Sequence, residues 1–230
     1  MCGRFTQFAP WEEVHSWFNF IPGTPSPEMT PRYNIAPTSP VACVIDIEGE
    51  RRLISARWWL IPPWLQGTFE DCYEKSKKFA TFNARIETAH EKRSFAKAWK
   101  HGRCVIPSTG WYEWTGKTGQ KRPNFLDVDR GNAPVFSFAG LYSQLSDGTY
   151  SCTIVTRPAE DEIAHVHARM PCVLDAEQQE GWLSGEDDDA HILASYGLSW
   201  TGKFLVREVR PFGRDDGPEL IEPIENSQLI

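Results

Sequence analysis

Closely spaced, strand-like segments in the second half of this 230-residue chain limit its fold more than any other feature. Each segment is short and rich in β-branched or aromatic residues, and turns that contain glycine separate one segment from the next. The segments cover residues 103–106, 110–115, 123–129, 134–142 and 150–156. Many short strands with a few helices between them favour an α+β fold built on a curved or barrel-like sheet.

The remaining segments add helices, strands and two irregular stretches. A helix is expected at 11–19, where Trp11, Val14 and Phe18 share one face just after Pro10. Six prolines make 22–40 a stiff, irregular loop. The polar and charged residues of 65–80 predict a mobile loop. Further helices are expected at 87–101, 176–183 and 188–196, and further strands at 41–47, 51–60 and 203–209.

No repeat or linker divides the chain, so we expect one domain over residues 1–230, with a mainly antiparallel sheet and a few flanking helices. The net charge of −7 argues against a surface covered in positive charge, but it permits a local basic groove. No apolar run is long enough to span a membrane, and the N-terminus lacks the apolar stretch of a signal peptide. Six cysteines in a chain without a signal peptide fit a reducing, cytoplasmic compartment. Because no two of them form a CxxC pair, the sequence argues against a zinc site.

Cys2 has the most distinctive chemistry in the sequence. Methionine is normally removed when a small residue follows it, and removal of Met1 would give Cys2 a free α-amine beside its thiol. These groups titrate at roughly 8 and about 8.5 in model compounds, so both are partly reactive near neutral pH. An aldehyde condenses with the amine to an imine, and the thiol then closes a five-membered thiazolidine. Gly3 permits close approach of a substrate to the backbone.

Three further segments carry chemically suggestive pairs. In an extended chain Asn83 and Arg85 share one face, where an amide and a guanidinium suit a sugar-phosphate. Glu113 lies among aromatic residues, and desolvation there would raise its pKa for acid–base work. His167 can pass a proton, and Arg169 can hold a phosphate. Taken singly, each also fits an ordinary surface strand, a glutamate that reaches water, or a hydrogen-bonded histidine.

Two classes of protein begin with Met-Cys-Gly: the N-terminal-nucleophile glutamine amidotransferases and the SOS response-associated peptidase (SRAP) family. Arg4 and Phe5 complete an opening that resembles the SRAP family, and the loops typical of the amidotransferases are missing. Further segments resemble that family in the same order, and the tail at 219–221 also fits. They are Arg32-Tyr33-Asn34-Ile35-Ala36-Pro37, Phe82-Asn83-Ala84-Arg85-Ile86-Glu87-Thr88, Gly110-Trp111-Tyr112-Glu113-Trp114 and His167-Ala168-Arg169-Met170-Pro171.

The resemblance implies a sensor and shield of abasic sites in single-stranded DNA that forms a covalent thiazolidine crosslink. It implies Cys2 as nucleophile, Asn83 as positioner of the N-terminus, Glu113 as acid and base, and His167 as proton donor. Weak lyase activity and autoproteolysis before Cys2 are also implied, with no metal or organic cofactor and no membrane. The DNA-binding residues carried over by motif are Arg4, Arg85, Arg93 and Arg169 for phosphates, and Pro37, Trp64 and Trp114 for bases.

We further expect a cytoplasmic monomer that associates with the nucleoid when it binds DNA. One departure from the family pattern is Trp59, which replaces a glycine and would either alter the approach of DNA or pack against the 65–80 segment. The acidic residues at 212–216 are not expected to contact DNA. Two alternative functions stay open: a Cys2-dependent peptidase or amidohydrolase, and a non-covalent reader of modified DNA.

Overall fold

The computed structural model describes residues 2–18, 20, 30–184, 200 and 202–224. Thirteen strands and four helices are formed within those residues. The strands are β1 Phe5–Gln7, β2 Arg32–Ile35, β3 Pro40–Ile47, β4 Glu50–Trp58, β5 Asn83–Arg85, β6 Arg103–Ser108, β7 Gly110–Thr115, β8 Arg122–Val128, β9 Phe136–Gln144, β10 Tyr150–Pro158, β11 Arg169–Pro171, β12 Val173–Leu174 and β13 Phe204–Glu208. The helices are α1 Trp11–Trp17, α2 Phe69–Ser76, α3 Ala96–His101 and α4 Ala176–Ser184, with 3₁₀ turns at Lys77–Phe79 and Pro218–Ile221.

The strands form two sheets. The smaller has the order β13-β8-β7-β1-β2 and is antiparallel throughout. The larger runs β11-β10-β4-β3-β6-β9-β12, and an additional pairing of β10 with β9 closes five of its strands into a ring. Only the pairings of β10 with β4 and β5 are parallel there. The predicted α+β fold with a curved, mainly antiparallel sheet is therefore confirmed.

A large apolar core joins the two sheets and holds the first residues of the chain. Phe5 of β1 is fully buried, and its ring meets the indole of Trp58 edge-to-face, with the ring centroids 5.0 Å apart. Trp111 of β7 and Phe138 of β9 belong to the same core, and so does Cys2. Because β1 pairs with β7, the segment that carries Glu113 lies directly beside the N-terminal strand.

Three predicted elements differ from the structure. The 65–80 segment contains α2, because Thr68 caps its first turn by accepting a hydrogen bond from the Asp71 amide, and Phe69 and Cys72 are buried. At 87–101 only Ala96–His101 is helical, and separate turns precede it. Ala89 and Phe95 are buried there, so packing overrides the helical pattern.

The third difference lies in the proline-rich stretch 22–40, for which an irregular loop is the wrong prediction at Arg32–Ile35. These residues form β2, which pairs with β1. Residues 22–29 and the helix expected at 188–196 lie outside the described residues. The remaining predicted elements are formed near their expected positions.

The helix expected at 176–183 begins as the sequence predicts. The Gln178 amide donates to the Asp175 carboxylate over 2.9 Å, and the Asp175 amide donates to the Gln178 side-chain oxygen over 3.1 Å, which forms a capping box. Within the described part of the chain, no helix is long and apolar enough to cross a membrane.

Gly110 is required where β1, β6 and β7 meet. Its φ is +154°, and a Cβ built there would lie 2.0 Å from the ring of Phe125. We expect Gly110→Ala to destabilise the fold by about 3 kcal/mol or more, since the fully buried Phe125 ring has little room to move. Chemical denaturation measures this, with Gly213→Ala as a matched control whose Cβ meets nothing within 4 Å. Equal stabilities of the two variants would contradict the expectation.

Candidate active site around Cys2

Cys2 lies at the centre of the candidate site. The side-chain amide of Asn83 donates to the Cys2 carbonyl oxygen over 2.7 Å, so β5 holds the start of the chain from the side. The Cys2 side chain is fully buried, and its thiol contacts the carbonyl oxygen of Arg4 at 3.7 Å. Burial raises the pKa of this thiol well above its ordinary value, and the negative charge of Glu113 adds to the shift. The resting thiol is therefore protonated and a weak nucleophile until a base assists it.

Glu113 supplies a carboxyl group that can act as that base. It lies on β7 and is only 4% exposed. Burial raises its pKa to about 7, against the opposing positive charge of the N-terminal amine. A carboxyl group that is half protonated near neutral pH can both accept and donate protons there. The predicted desolvation of Glu113 thus agrees with its surroundings.

Alternation along β7 places Glu113 on the same side as Trp111, which belongs to the core with Cys2. Tyr112 and Trp114 belong instead to a separate cluster with Phe212. Trp114 is half-buried, and its ring lies 5.9 Å from that of Phe212. The structure therefore does not bring Trp114 to the same side of β7 as Glu113.

Asn83 and Arg85 flank the site on β5, which pairs in parallel with β10. Asn83 is buried, and its side-chain oxygen has no hydrogen-bond partner among the described residues. Arg85 is exposed two residues further on. Between them, Ala84 points to the opposite core, as the expected alternation requires. The strand thus presents one buried amide and one exposed guanidinium next to the N-terminus.

His167 lies just before β11, and its ring contacts the backbone of Arg169. Its Nδ1 atom lies 3.0 Å from the Arg169 amide nitrogen and 3.0 Å from the Arg169 carbonyl oxygen, so it accepts from the amide in one tautomer and donates to the carbonyl in the other. Burial lowers the pKa of His167, and the N-terminal amine lowers it further. In the tautomer that accepts at Nδ1, the proton lies on Nε2 and is available for donation. The amine whose charge contributes to the pKa shifts of Glu113 and His167 is that of Met1, which precedes Cys2 in this chain.

Arg169 has a partner that the sequence did not predict. Its guanidinium makes a two-pronged ion pair with Glu87, with N–O distances of 2.8 and 2.9 Å. The same side chain donates to the Thr156 carbonyl oxygen over 2.7 Å. Glu87 is part of the motif that includes Asn83. An acidic residue so close to predicted phosphate ligands was the one sequence feature that could have indicated an ion pair with a nearby arginine. A phosphate on Arg169 would share the guanidinium with Glu87.

The other expected DNA-binding residues are spread around this centre. Trp64 and Arg93 are exposed, and the guanidinium lies 4.6 Å from the centroid of the indole. Arg4 is half-buried, and its guanidinium donates to the Gly3 carbonyl oxygen over 2.9 Å. Pro37 is half-buried in the turn between β2 and β3. Arg4 follows Cys2 by two residues and Arg85 follows Asn83 by two residues, whereas Trp64 and Arg93 form a separate pair.

Two features outside the motifs also support the site. Trp59 is buried, and its ring packs against Tyr73 of α2 at 5.1 Å and Phe82 at 5.3 Å. This confirms the expectation that Trp59 packs against the 65–80 segment. The acidic tail serves β2, since the Asp216 carboxylate accepts hydrogen bonds from the amides of Tyr33 and Asn34.

Comparison with known proteins identifies close relatives over nearly the whole chain. A family model described as SOS response-associated peptidase (SRAP) matches residues 1–210. The abasic site processing protein YoqW of Bacillus subtilis is 32% identical, with 96% of this chain and 99% of that protein covered. Abasic site processing protein YedK of Escherichia coli is 30% identical, with 97% and 100% covered. A crystal structure of a protein from Bacteroides thetaiotaomicron shares the fold, with a TM-score of 0.78, 24% identity, and 96% and 99% coverage.

Proposed function

The chain belongs to the SRAP family, and from that premise we propose that it processes abasic sites in single-stranded DNA by forming a covalent crosslink through Cys2. One observation carries the proposal: Asn83 holds the Cys2 carbonyl oxygen while Glu113 acts electrostatically on the Cys2 thiol. The names of the relatives supply the abasic site as the substrate. The chemistry below is what this arrangement supports.

The reaction begins after removal of Met1 frees the α-amine of Cys2. An abasic deoxyribose exists partly as an open chain with an aldehyde at C1′. The amine adds to that carbon, and loss of one water gives an imine. The thiol then adds to the imine carbon, and its proton passes to the nitrogen, which closes the thiazolidine. The balance is one new C–N bond, one new C–S bond and one water released.

The surrounding residues have distinct tasks in this scheme. Glu113 accepts a proton from the N-terminal ammonium and returns it to the departing hydroxyl, for which a pKa of about 7 is well matched. In the tautomer that accepts the Arg169 amide at Nδ1, His167 donates from Nε2 to the deoxyribose ring oxygen as the sugar opens. Asn83 holds the backbone of Cys2 so that amine and thiol face the same carbon. Arg4 and Arg85 bind the flanking phosphates.

The imine also permits β-elimination of the 3′ phosphate, so weak lyase activity accompanies crosslinking. A peptidase function is the second candidate, because the same carboxyl group lies near the Cys2 thiol. It predicts that a short extension placed before Cys2 is removed in a Glu113-dependent way, which intact mass measures. Each chain has one N-terminus and would hold one abasic site, so a monomer suffices for the reaction.

Incubation of the processed protein with abasic single-stranded DNA tests the proposal. A denaturing gel should show a slower band that survives boiling. The control strand carries a tetrahydrofuran analogue, which has no C1′ hydroxyl and cannot open to an aldehyde. We expect no band with the analogue. The proposal is wrong if the natural abasic strand gives no shifted band, and a band with both strands would show that the aldehyde is not the reacting group.

Loss of the amide at position 83 tests the positioning of the N-terminus. We expect Asn83→Ala to slow crosslinking by about 100-fold, because a misplacement of about 1 Å at a reacting group has that cost. The initial rate of band formation with excess DNA measures the change. Gln179→Ala is the matched control, since Gln179 is also buried, lies on α4, and its amide donates to the Asp175 carbonyl oxygen over 3.0 Å. Equal rates for both variants would remove Asn83 from the mechanism.

A further inference from the structure

A cavity of about 290 Å³ lies beside Trp64 and has no role in the scheme above. Leu60, Ile61 and Pro62 form part of its apolar wall together with Ala98 of α3. The side chains at its mouth are polar or basic, namely Gln66, Ser94, Lys97, His101 and Gln144. An apolar floor with a few polar groups at the rim is the usual composition of a ligand pocket.

The cavity is connected to the candidate active site through the chain itself. Leu60 and Thr81 exchange hydrogen bonds: the Thr81 hydroxyl donates to the Leu60 carbonyl oxygen over 2.7 Å, and the Leu60 amide donates to the Thr81 carbonyl oxygen over 3.3 Å. Thr81 stands two residues before Asn83, so their Cα atoms are at most about 7 Å apart. The wall of the cavity is therefore linked by hydrogen bonds to the residues just before β5, the strand that carries Asn83.

Trp64 and Arg93 stand at the edge of the same cavity. Pro63 and Leu65, the two neighbours of Trp64, line it, and so does Ser94, which follows Arg93. The exposed indole offers a face for stacking, and the guanidinium above it offers a phosphate contact. Phe79 is also exposed, and its ring lies 6.3 Å from that of Trp64. These are the two large exposed hydrophobic side chains of the described residues.

The charge of the surrounding chain fits a nucleic acid. Residues 75–100 contain eight lysines and arginines but only two acidic residues, in a protein whose net charge is −7. Lys97 of α3 belongs to that group and stands at the mouth of the cavity. A polyanion would be attracted to this region and repelled by the rest of the surface. A neutral occupant of similar size has no such guidance.

The size of the cavity limits the occupant to a small planar group. At about 290 Å³ it is at the lower end of the range for ligand pockets, which suits one heterocyclic base rather than a larger cofactor. Tyr142 adds an aromatic surface to the wall. Gln66 and Gln144 add side-chain amides, which pair well with the edges of bases.

We propose that this cavity binds one unpaired nucleobase of the strand that carries the abasic site. The inference rests on the proposed function, because it takes its ligand from the same strand. The base stacks out of line with its neighbours, its phosphate lies at Arg93 and Lys97, and its edge meets the amides at the mouth. The pocket would thus favour single-stranded over paired DNA on one side of the lesion.

The test uses Cys2→Ala protein, which binds without crosslinking, and strands that carry the tetrahydrofuran analogue. In each strand one flanking base at a time is replaced by a second analogue, and affinity is measured by fluorescence anisotropy. Removal of the base that occupies the pocket should weaken binding by about tenfold or more, because a stacked base contributes on that scale. Removal of bases at other positions on that side should have a smaller effect.

Two substitutions, one in α3 and one just before it, connect the effect to the cavity. Ala98→Leu fills the pocket and should make binding indifferent to the base at that position, and Ser94→Leu should do the same from the mouth. Ala96→Leu is the matched control on the same helix, since Ala96 does not line the cavity. The pocket alone is overturned if the affinity does not depend on any flanking base. It is also overturned if removal of the base at that position weakens binding equally in Ala98→Leu, Ser94→Leu and Ala96→Leu. Absence of DNA binding in all arms would overturn the proposed function as well.

Discussion

Cys2→Ser is expected to abolish the stable crosslink with abasic DNA while leaving a reversible imine. Serine is also small enough for removal of Met1, so the α-amine remains and still condenses with the aldehyde. The hydroxyl is a much poorer nucleophile than the thiol and does not close a lasting ring. We therefore expect no band on a denaturing gel without a reductant. Borohydride, which reduces an imine to an amine, should restore the band.

Cys72→Ser is the matched control for that experiment. Cys72 is buried in α2 among Trp59 and Phe69, outside the cluster that holds Cys2. Its variant should crosslink at the rate of the unmodified protein. A band from Cys2→Ser without reductant would show that the thiol is not needed. Failure of borohydride to restore the band would show that the amine does not react with the sugar.

Glu113→Gln is expected to lower activity and raise stability together. General acid–base catalysis typically contributes 100-fold or more, so crosslinking should slow by at least about 100-fold. Because Glu113 accepts a proton from the ammonium in our scheme, the rate of the unmodified protein should rise with pH through about 7. The variant should lack that rise, although titration of the amine near 8 remains in both proteins. Rates measured from pH 5.5 to 8.5 test this.

The stability change follows from the sign of the pKa shift. Burial raises the pKa of Glu113 from its ordinary value of 4.5 to about 7, so the folded state holds the proton more tightly than the unfolded chain. The stabilisation from protonation is complete below about 4.5 and is lost as pH rises through 7. Glutamine avoids this loss, and at pH 8 the variant should be more stable by about 3 kcal/mol. Near pH 5 most of the difference should disappear.

Urea denaturation at pH 5 and pH 8 measures the two differences. Exposed Glu222 provides the matched control, and Glu222→Gln should change stability little at either pH. A Glu113→Gln variant that is less stable at pH 8 would mean that the carboxylate makes stabilising contacts in the folded state. A gain of stability without loss of activity would mean that the burial of Glu113 serves no chemical purpose.

Local patterns were enough to predict most of the sheet. The five segments from 103 to 156 all form strands, and 110–115 matches β7 at both ends. The sheet pairings were not accessible in this way, because register depends on contacts between distant segments. The 65–80 segment shows the same limit. Thr68 and Asp71 have the spacing of a helix cap, but the many charged residues of this segment favour a loop in the sequence. The helix is stabilised by the packing of Phe69 and Cys72 against Trp59, which a local pattern does not show.

The motifs predicted which residues belong to the candidate site, and the structure shows a contact between two of them, from the Asn83 amide to the Cys2 carbonyl oxygen. Cys2, Asn83 and Glu113 lie in three segments that are far apart in the sequence, so the distances between them could not be predicted from it. The ion pair of Arg169 with Glu87 was not predicted, since both residues were interpreted from their own segments alone. The ring of His167 contacts the backbone amide and carbonyl of Arg169, two residues away, which no side-chain pattern reports.

The central claim is that the amine and the thiol of Cys2 react together with one aldehyde. The intact mass of the crosslinked product, measured under denaturing conditions with and without borohydride, tests it most directly. The account predicts the mass of the protein lacking Met1 plus that of the DNA, less one water, and no change on treatment with borohydride. A product that retains Met1, loses no water or gains two hydrogens with borohydride would contradict the thiazolidine.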